Sequence, residues 1–159
     1  MNNPIRVRAG AIIIENKAIL LVEFNDENGL HYNVPGGGVE PEETVVEAVR
    51  REVREEVQAE VEVGPLAFVY EYAPHINAGK YGPLHSLSLL FDCKIRAGSA
   101  AGMPQNPDAN QTGMHWIPLS QLQSIVLYPN IKKQIIDYAQ NKRNIDFIEE
   151  PSLEAYDKD

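Results

Sequence analysis

Three glutamates near the middle of the chain are spaced so that they could bind a divalent cation together. Glu52, Glu55 and Glu56 would lie on neighbouring positions of a helix that turns about 100° per residue, with Glu52 and Glu56 on the arc of the valines that face the core. A buried carboxylate without a partner is costly or takes up a proton, and the neighbouring arginines point largely away from this arc. Mg²⁺ and Mn²⁺ prefer carboxylate oxygens. The pattern therefore favours a metal site over the alternative, an ordinary helix whose acids reach round to water.

The helix that would carry these glutamates is predicted to run from about Val45 to Val57. Thr44 followed by Glu47 has the spacing of a capping box, in which the hydroxyl and the carboxylate bond each other's backbone amides. Just before this helix, three consecutive glycines (residues 36–38) predict a loop. Such a loop allows positive φ, and it lets a carbonyl approach the same cation or lets phosphate oxygens approach closely.

The remaining elements are predicted to be mostly strands. Residues 5–14 and 18–24 read as a hairpin, and a second helix is expected over 130–142. The other predicted strands cover residues 31–34, 61–72 (broken by Gly64-Pro65), 84–95 and 114–117. This order indicates a mixed α+β fold or a short α/β sandwich. We expect a single domain over residues 1–143 and a polar, acidic, loosely held tail over 144–159.

Composition excludes several classes of protein. The chain has 159 residues, 43% of them hydrophobic and 23% charged, which fits one soluble globular domain. Its net charge of −9 argues against a general nucleic-acid binder. We expect no membrane span and no secretory signal, hence a cytoplasmic protein. The single cysteine, Cys93, lies in an apolar strand and is expected to fill space.

The acid-bearing segment resembles the Nudix box. Residues 37–59 read GGVEPEETVVEAVRREVREEVQA, and the box is written G-x5-E-x7-R-E-U-x-E-E-x-G-U, with U a bulky aliphatic residue. The residues on specified positions are Gly37, Glu43, Arg51, Glu52, Val53, Glu55 and Glu56. The strand order and the Trp116-Ile117-Pro118-Leu119 segment extend the resemblance over about residues 5–142.

This resemblance implies an α+β fold of the α/β/α sandwich type, with a mixed β-sheet packed between helices. It also implies hydrolysis of a nucleoside diphosphate linked to another group. By analogy with the family, Glu52, Glu55, Glu56 and the carbonyl at or beside Gly37 bind Mg²⁺ or Mn²⁺. Glu43 and Arg51 orient the cluster, and Arg51 counts among the catalytic residues with Glu52 and Glu55. Glu52 is the first choice for the general base and Glu55 the second, although crowded acids titrate as a set.

Two positions depart from the family pattern. The box normally ends in a glycine that caps the helix in a left-handed conformation, and Gln58 stands there; we therefore expect the helix to end differently. Relatives often carry another carboxylate before the Trp-x-Pro-Leu segment, where this chain has Gln111. Asp108 is the nearest acid that could replace it, although an ordinary loop residue is the default interpretation.

Substrate choice lies outside the box in this family. A proline about 15 residues downstream marks ADP-ribose hydrolases, and Pro74 stands 15 after Ala59, which favours ADP-ribose or a nucleotide sugar. Tyr32 is a candidate for base stacking, and Gly36 and Gly38 are candidates for substrate contact. The alternatives are a house-cleaning nucleoside triphosphate pyrophosphohydrolase, a non-catalytic nucleotide sensor, and a metal-buffering or partner-binding module. Expected partners are a small nucleotide and, by analogy with ADP-ribose hydrolases, a second copy in a homodimer.

Overall fold

Strands dominate the fold, as the sequence predicts. The structure is a computed structural model that describes residues 4–76, 79–147 and 149–154. Its strands are β1 (Arg6–Ile12), β2 (Ile14–Glu15), β3 (Ala18–Asp26), β4 (Gly29–Asn33), β5 (Gly36–Gly38), β6 (Val61–Tyr72), β7 (Ser86–Ile95) and β8 (Gln111–Pro118). The α-helices are α1 (Val45–Val57) and α2 (Lys132–Asn141), and short 3-10 helices span Leu119–Ser124 and Glu150–Ser152.

The first sheet is mixed and supports the acidic helix. Its strand order is β5-β1-β7-β6, with β1 and β7 parallel and the other pairs antiparallel. The Gly64-Pro65 step does not break β6 as expected; the strand continues through it with a shift in register between Val63 and Leu66. A bulge absorbs the irregularity because β7 keeps pairing on both sides of it.

The second sheet corrects the predicted hairpin. β3 pairs with β2, β4 and β8, whereas β1 belongs to the first sheet. The tight hairpin therefore joins only β2 and β3, and Ile14 is opposite Ile19. The chain changes sheets at Ile13, whose carbonyl still accepts a hydrogen bond from the Leu20 amide at 2.9 Å.

The two helices cover different parts of the core. The α1 valines pack with residues of both sheets in one apolar cluster, and α2 packs with a second cluster through Ile135 and Tyr138, which are buried. Mixed sheets packed with helices confirm the α+β class.

The glycine segment before α1 is a strand and not a loop. Gly36, Gly37 and Gly38 form β5 at the edge of the first sheet, where Gly37 is opposite Ala9. None of the three has a positive φ. Close packing requires glycine here: a Cβ on Gly36 would overlap the Ala9 carbonyl and the Gly10 Cα.

Residues at the margins of the domain have varied contacts. Ile145, in the predicted tail, donates its amide to the Leu66 carbonyl at 2.9 Å, and the Phe147 ring packs edge-on against Phe91. Residues 1–3, 77–78, 148 and 155–159 lie outside the described part of the chain, so the tail boundary stays a prediction.

Cys93 is buried, as expected, and burial raises the pKa of its thiol to about 12. No helix in the described ranges is both long and apolar enough to cross a bilayer.

Candidate functional site

Local signals define both ends of the helix that carries the glutamates. At its start the Thr44 side chain accepts from the Glu47 amide at 3.1 Å, and the Glu47 carboxylate accepts from the Thr44 amide at 2.8 Å, which confirms the capping box. At its end Gln58 adopts φ 59°, and its amide bonds the Arg54 carbonyl. The expectation that the helix would end without a left-handed residue is therefore wrong: Gln58 takes the conformation that glycine usually provides.

Glu56 is a buried carboxylate at the centre of the site. The residue is only 3% exposed, and one carboxylate oxygen accepts a hydrogen bond from the Gly36 amide at 3.0 Å. Burial raises its pKa to about 9; the Gly36 amide acts in the opposite direction, and the nearby charges of Glu52 and Asp108 raise it further. Without a cation, the site therefore favours a neutral Glu56.

Glu52 lies directly against the glycine strand. Its side chain is 13% exposed, and its carboxylate occupies the space that a Cβ on Gly37 would fill. The missing side chain of Gly37 therefore makes room for Glu52 beside Glu56. This contact explains why glycine is needed here, since its backbone has no unusual φ.

Arg51 forms hydrogen bonds with three of the acidic residues. Its guanidinium makes a two-point contact with Glu43, at 2.6 and 2.9 Å, and also donates to Glu52 at 2.8 Å and to Glu55 at 3.3 Å. A further bond reaches the Gly38 carbonyl at 3.0 Å. The hydrogen bonds with Glu43 raise the pKa of Arg51 and hold that of Glu43 below its usual range. The expectation that the arginines would point away from Glu52 is wrong for Arg51.

Glu55 and Asp108 face a shallow groove beside the helix end. Both line it; the Glu55 side chain is 55% exposed, and Asp108 is exposed on its loop. Asp108 is near enough to Glu56 to act on its pKa. The Gln111 side chain is buried and donates to the Glu56 backbone carbonyl at 2.9 Å, so Gln111 supports the end of the helix.

The donor set fits a hard divalent cation in its chemistry. Glu52 and Glu56 bring two low-exposure carboxylates together, and a charged pair of this kind requires a compensating cation. Across residues 4–76, 79–147 and 149–154, no group of three Asp, Glu, His or Cys side chains already has the geometry of a metal site. Arg51 holds Glu52 and Glu55, so these carboxylates would have to rotate to join Glu56 around an ion.

A cleft opens on the other face of the glycine strand. A narrow part of about 60 Å³ touches Gly36 and Gly37, and a wider part of about 400 Å³ continues from it toward Tyr72 and Tyr81. The two parts share six lining residues: Arg8, Asn33, Tyr70, Ser88, Tyr128 and Pro129. The wide part has the size of a small-molecule site.

One polar atom in the cleft lacks a hydrogen-bond partner among the described residues, and a half-buried cation lies near it. The Asn33 Oδ1 atom is buried and accepts no hydrogen bond from any described residue. Burial, and then the neighbouring charge of Arg6, lower the pKa of Arg8, while Glu52 and Glu56 raise it. The cleft is therefore electrostatically connected to the glutamates across β5.

Not all of the predicted substrate residues lie along this cleft. Gly36 lines it, and Gly38 lies under the Arg6 guanidinium. Tyr32 and Pro74 are not among the residues that line it. The Tyr32 hydroxyl instead donates to the Glu23 carboxylate at 3.0 Å in the second sheet.

Sequence reasoning missed the cleft arginines. Arg6 and Arg8 alternate with Val7 and Ala9 in the first strand, and alternate residues of a strand share a face. Two arginines at alternate positions of one predicted strand would have been the signal. Their partners on β6 and β7 depend on strand order, which no local pattern indicates.

Comparison with known proteins agrees with this geometry. The family model described as NUDIX domain matches residues 4–138. The nucleoside triphosphatase NudI of Escherichia coli (strain K12) is 34% identical over 89 residues, which cover 52% of this chain and 63% of that protein. The chain thus matches less than two thirds of the length of this curated relative.

Solved structures share the fold at low identity. A NUDIX hydrolase from Nitrosomonas europaea superposes with a TM-score of 0.75 at 19% identity, covering 96% of this chain and 98% of its own. An ADP-ribose pyrophosphatase from Streptococcus suis 89-1591 gives a TM-score of 0.64 at 20% identity, covering 89% and 94%. At these identities the likeness supports the architecture alone.

Proposed function

Because this chain belongs to the NUDIX domain family, we propose that it hydrolyses a pyrophosphate bond in a small nucleotide with the help of Mg²⁺ or Mn²⁺. The observation that carries the proposal is the buried Glu56 carboxylate beside Glu52, with Gly37 leaving room for Glu52. A pair of this kind is costly in a protein that has no use for a cation.

The residues have separate roles in the proposed reaction. Glu52, Glu55 and Glu56, with the Gly37 carbonyl, would hold the metal, which when bound supplies charge neutralisation for phosphate oxygens and lowers the pKa of a water molecule. Arg51 positions Glu52 and Glu55 through its hydrogen bonds and is itself held by Glu43. Glu52 is the first candidate to accept the proton of the attacking water, and Glu55 is the second.

Two substrate classes have support. The spacing of Pro74 favours ADP-ribose or a nucleotide sugar, but Pro74 is not among the residues that line the cleft. A nucleoside triphosphate is favoured by the name of the E. coli relative and by the two arginines in the cleft. The triphosphate is therefore the better supported candidate, and the nucleotide sugar is the second.

A nucleotide assay tests the proposed function. Purified protein with Mg²⁺ is incubated with nucleoside triphosphates, ADP-ribose, nucleotide sugars and dinucleoside polyphosphates, and release of a nucleoside monophosphate supports hydrolysis. Stabilisation against heat by a nucleotide without turnover would instead support the non-catalytic sensor. Absence of both effects would leave the metal-buffering or partner-binding module.

A charge-removing variant links the activity to the site. Glu56→Gln is expected to lower turnover at least about 100-fold, the scale of a lost electrostatic or acid-base group. Glu62→Gln is the matched control, because Glu62 is exposed on β6. Near-normal turnover in a folded Glu56→Gln protein would contradict the metal assignment. The cytoplasmic location and the homodimer stay predictions.

A further inference from the structure

The last turn of α1 is capped by residues that are distant in sequence. The final carbonyl groups of an α-helix have no partner within the helix itself. Here the Val57 carbonyl accepts from the Gly102 amide at 2.8 Å, and the Glu56 carbonyl accepts from the Gln111 side chain at 2.9 Å. Gln111 is only 7% exposed, and the bond that it donates is buried. The backbone of Glu56 is therefore held by β8, a strand of the second sheet.

Glu56 is thereby held at both its backbone and its side chain. Its carbonyl is bound by Gln111 from the second sheet, and its carboxylate accepts from the Gly36 amide of the first sheet at 3.0 Å. The first bond fixes where the last turn of the helix lies, and the second fixes where the carboxylate points. Because helix ends fray, loss of the backbone bond would leave the carboxylate less well directed.

The contacts of residue 111 require an amide side chain. Gln111 Nε2 donates to the Glu56 carbonyl, while Gln111 Oε1 accepts from the Asp108 amide at 3.3 Å. An ionised carboxylate of the same size could accept but could not donate, and it would place an anion against a carbonyl oxygen. An acid at this position would therefore remove the bond that holds Glu56.

An irregularity in β8 turns Gln111 toward the helix. Successive residues of a strand project to opposite faces, so a shift of one residue reverses the faces. Gly113 is opposite Glu23. Gln111, two positions earlier, is opposite Phe24, so the strand contains one extra residue, Thr112, in a bulge. Phe24 packs against the apolar cluster that contains the α1 valines, and Gln111 projects to the same side as its partner.

A carboxylate of the second sheet anchors this bulge. The Thr112 hydroxyl donates to Glu23 at 2.8 Å. The same carboxylate accepts from the Tyr32 hydroxyl at 3.0 Å and lies 2.9 Å from His115 Nε2. The Glu23 side chain is 17% exposed, so these contacts are partly shielded from water. The extra residue of the bulge is therefore fixed by its own side chain as well as by the strand pairing.

We propose that Gln111 is a positioning residue for the Glu56 carboxylate, and that the Thr112 bulge aims Gln111 at the helix. The proposal rests on the proposed function, in which Glu56 is a metal ligand. Gln111 acts through the backbone of Glu56 and needs no contact with metal or substrate. Loss of its hydrogen bond should lower both metal affinity and turnover, because residues that orient a metal ligand affect both.

Replacement of Gln111 by glutamate tests the positioning role. Calorimetric titration with Mn²⁺ measures metal affinity, and kcat and KM are measured at saturating Mn²⁺ on the nucleotide that wild type hydrolyses fastest. Gln111→Glu should weaken Mn²⁺ binding about 10-fold and lower kcat about 10- to 100-fold, with KM changed less than about threefold. An added negative charge alone would strengthen cation binding, so the sign of the change separates the lost hydrogen bond from the charge. Gln121→Glu, at an exposed residue, is the matched control and should leave all three values unchanged.

Further variants keep the test decisive if Gln111→Glu does not fold. Gln111→Leu removes the donor without adding charge and should show the same losses. Thr112→Val removes the hydroxyl that anchors the bulge, and Thr112→Ser keeps it; both should fold because Thr112 is exposed. Since one hydrogen bond is lost, kcat should fall about 3- to 10-fold in Thr112→Val and stay within about twofold of wild type in Thr112→Ser. Unchanged or higher Mn²⁺ affinity in the Gln111 variants, or equal kcat in the two Thr112 variants, would overturn the proposal.

Hydrogen exchange distinguishes failure of this role from failure of the proposed function. If wild type hydrolyses no nucleotide, the proposed function fails, and exchange measured in chelator still tests the positioning. The Gly36 amide, which donates to the Glu56 carboxylate, should exchange about tenfold faster in Gln111→Leu than in wild type. The Ala11 amide, which donates to the Pro35 carbonyl, should keep its protection and show that the sheet is intact. Equal protection of the Gly36 amide in the two proteins would overturn the positioning role.

Discussion

Replacing Glu56 with glutamine should stabilise the metal-free protein above neutral pH. The pKa of Glu56 is 4.5 when the carboxyl group is fully solvated, as in the unfolded chain, and burial raises it to about 9 in the folded protein. Between these values the unfolded chain binds fewer protons than the folded chain, so stability falls as pH rises. Burial of the carboxyl group therefore lowers the free energy of unfolding by about 1 kcal/mol at pH 5 and by at most about 5 kcal/mol at pH 8, at about 1.4 kcal/mol per pH unit. The glutamine removes this cost and keeps an oxygen for the Gly36 amide.

Unfolding measured with a chelator and with Mg²⁺ is the assay. For a chain of 159 residues, each kcal/mol corresponds to about 2–4 °C in Tm, so Glu56→Gln should melt up to about 10–20 °C above wild type at pH 8 with chelator. At pH 5 the two proteins should differ by about 2–4 °C at most. Mg²⁺ should raise the Tm of wild type at pH 8, because it binds the ionised site of the folded state, and should have little effect on the variant.

A matched substitution controls for charge in general. Glu62→Gln removes one exposed carboxylate and should show no pH-dependent gain. If Glu56→Gln is less stable than wild type at pH 8 in chelator, the carboxylate does not carry the burial cost assigned to it. If Mg²⁺ stabilises the variant as much as wild type, Glu56 is not a ligand.

Other substitutions test the parts of the site separately. Arg51→Lys loses the two-point contact with Glu43. It should lower the free energy of unfolding in urea by about 1–3 kcal/mol and slow turnover, since an ammonium group cannot make both hydrogen bonds of the planar guanidinium. Gly37→Ala pushes the movable end of the Glu52 side chain, so it should lower turnover at least about tenfold with little change in Tm, whereas Gly36→Ala meets rigid backbone and should lower Tm strongly. Gln58→Gly should raise the free energy of unfolding in urea by about 1 kcal/mol, because glycine adopts the left-handed conformation without strain.

For each of these expectations, one experimental result would contradict it. Full activity in Arg51→Lys would show that the two-point guanidinium contact is not needed to position the glutamates. If Gly37→Ala has as low a Tm as Gly36→Ala, the Glu52 side chain does not move away from the added methyl group. Gln58→Ala keeps the Cβ, so a gain equal to that of Gln58→Gly would exclude backbone strain as the cause.

The helix and its acids could be predicted because their signals are local. The capping box, the valine arc and the burial of Glu56 all follow from residues within a few turns of one another. The same reasoning failed at Gln58, which takes a left-handed conformation that its own preference disfavours. A non-local hydrogen bond lies beside it, from the Gly102 amide to the Val57 carbonyl at 2.8 Å. Local rules give the favoured state, and tertiary contacts can override it.

The sheets and the cleft could not be predicted in the same way. β1 leaves the expected hairpin and pairs with β5 and β7, which follow it by many residues. The glycine segment becomes a strand only because β1 is beside it. The face of the sheet that carries Arg6 and Arg8 needs three strands in register, and register is set by pairing across the whole sheet.

The contacts of Arg51 have a consequence for how the site takes up a cation. The guanidinium already neutralises Glu52 and Glu55 in the protein alone, so an incoming ion has to displace a resident positive group. Binding of an ion by these two carboxylates would then be an exchange of counter-ions, and Arg51 would keep its two hydrogen bonds to Glu43. In the ion-free protein, Arg51 thus serves as a built-in counter-ion that keeps Glu52 and Glu55 ordered.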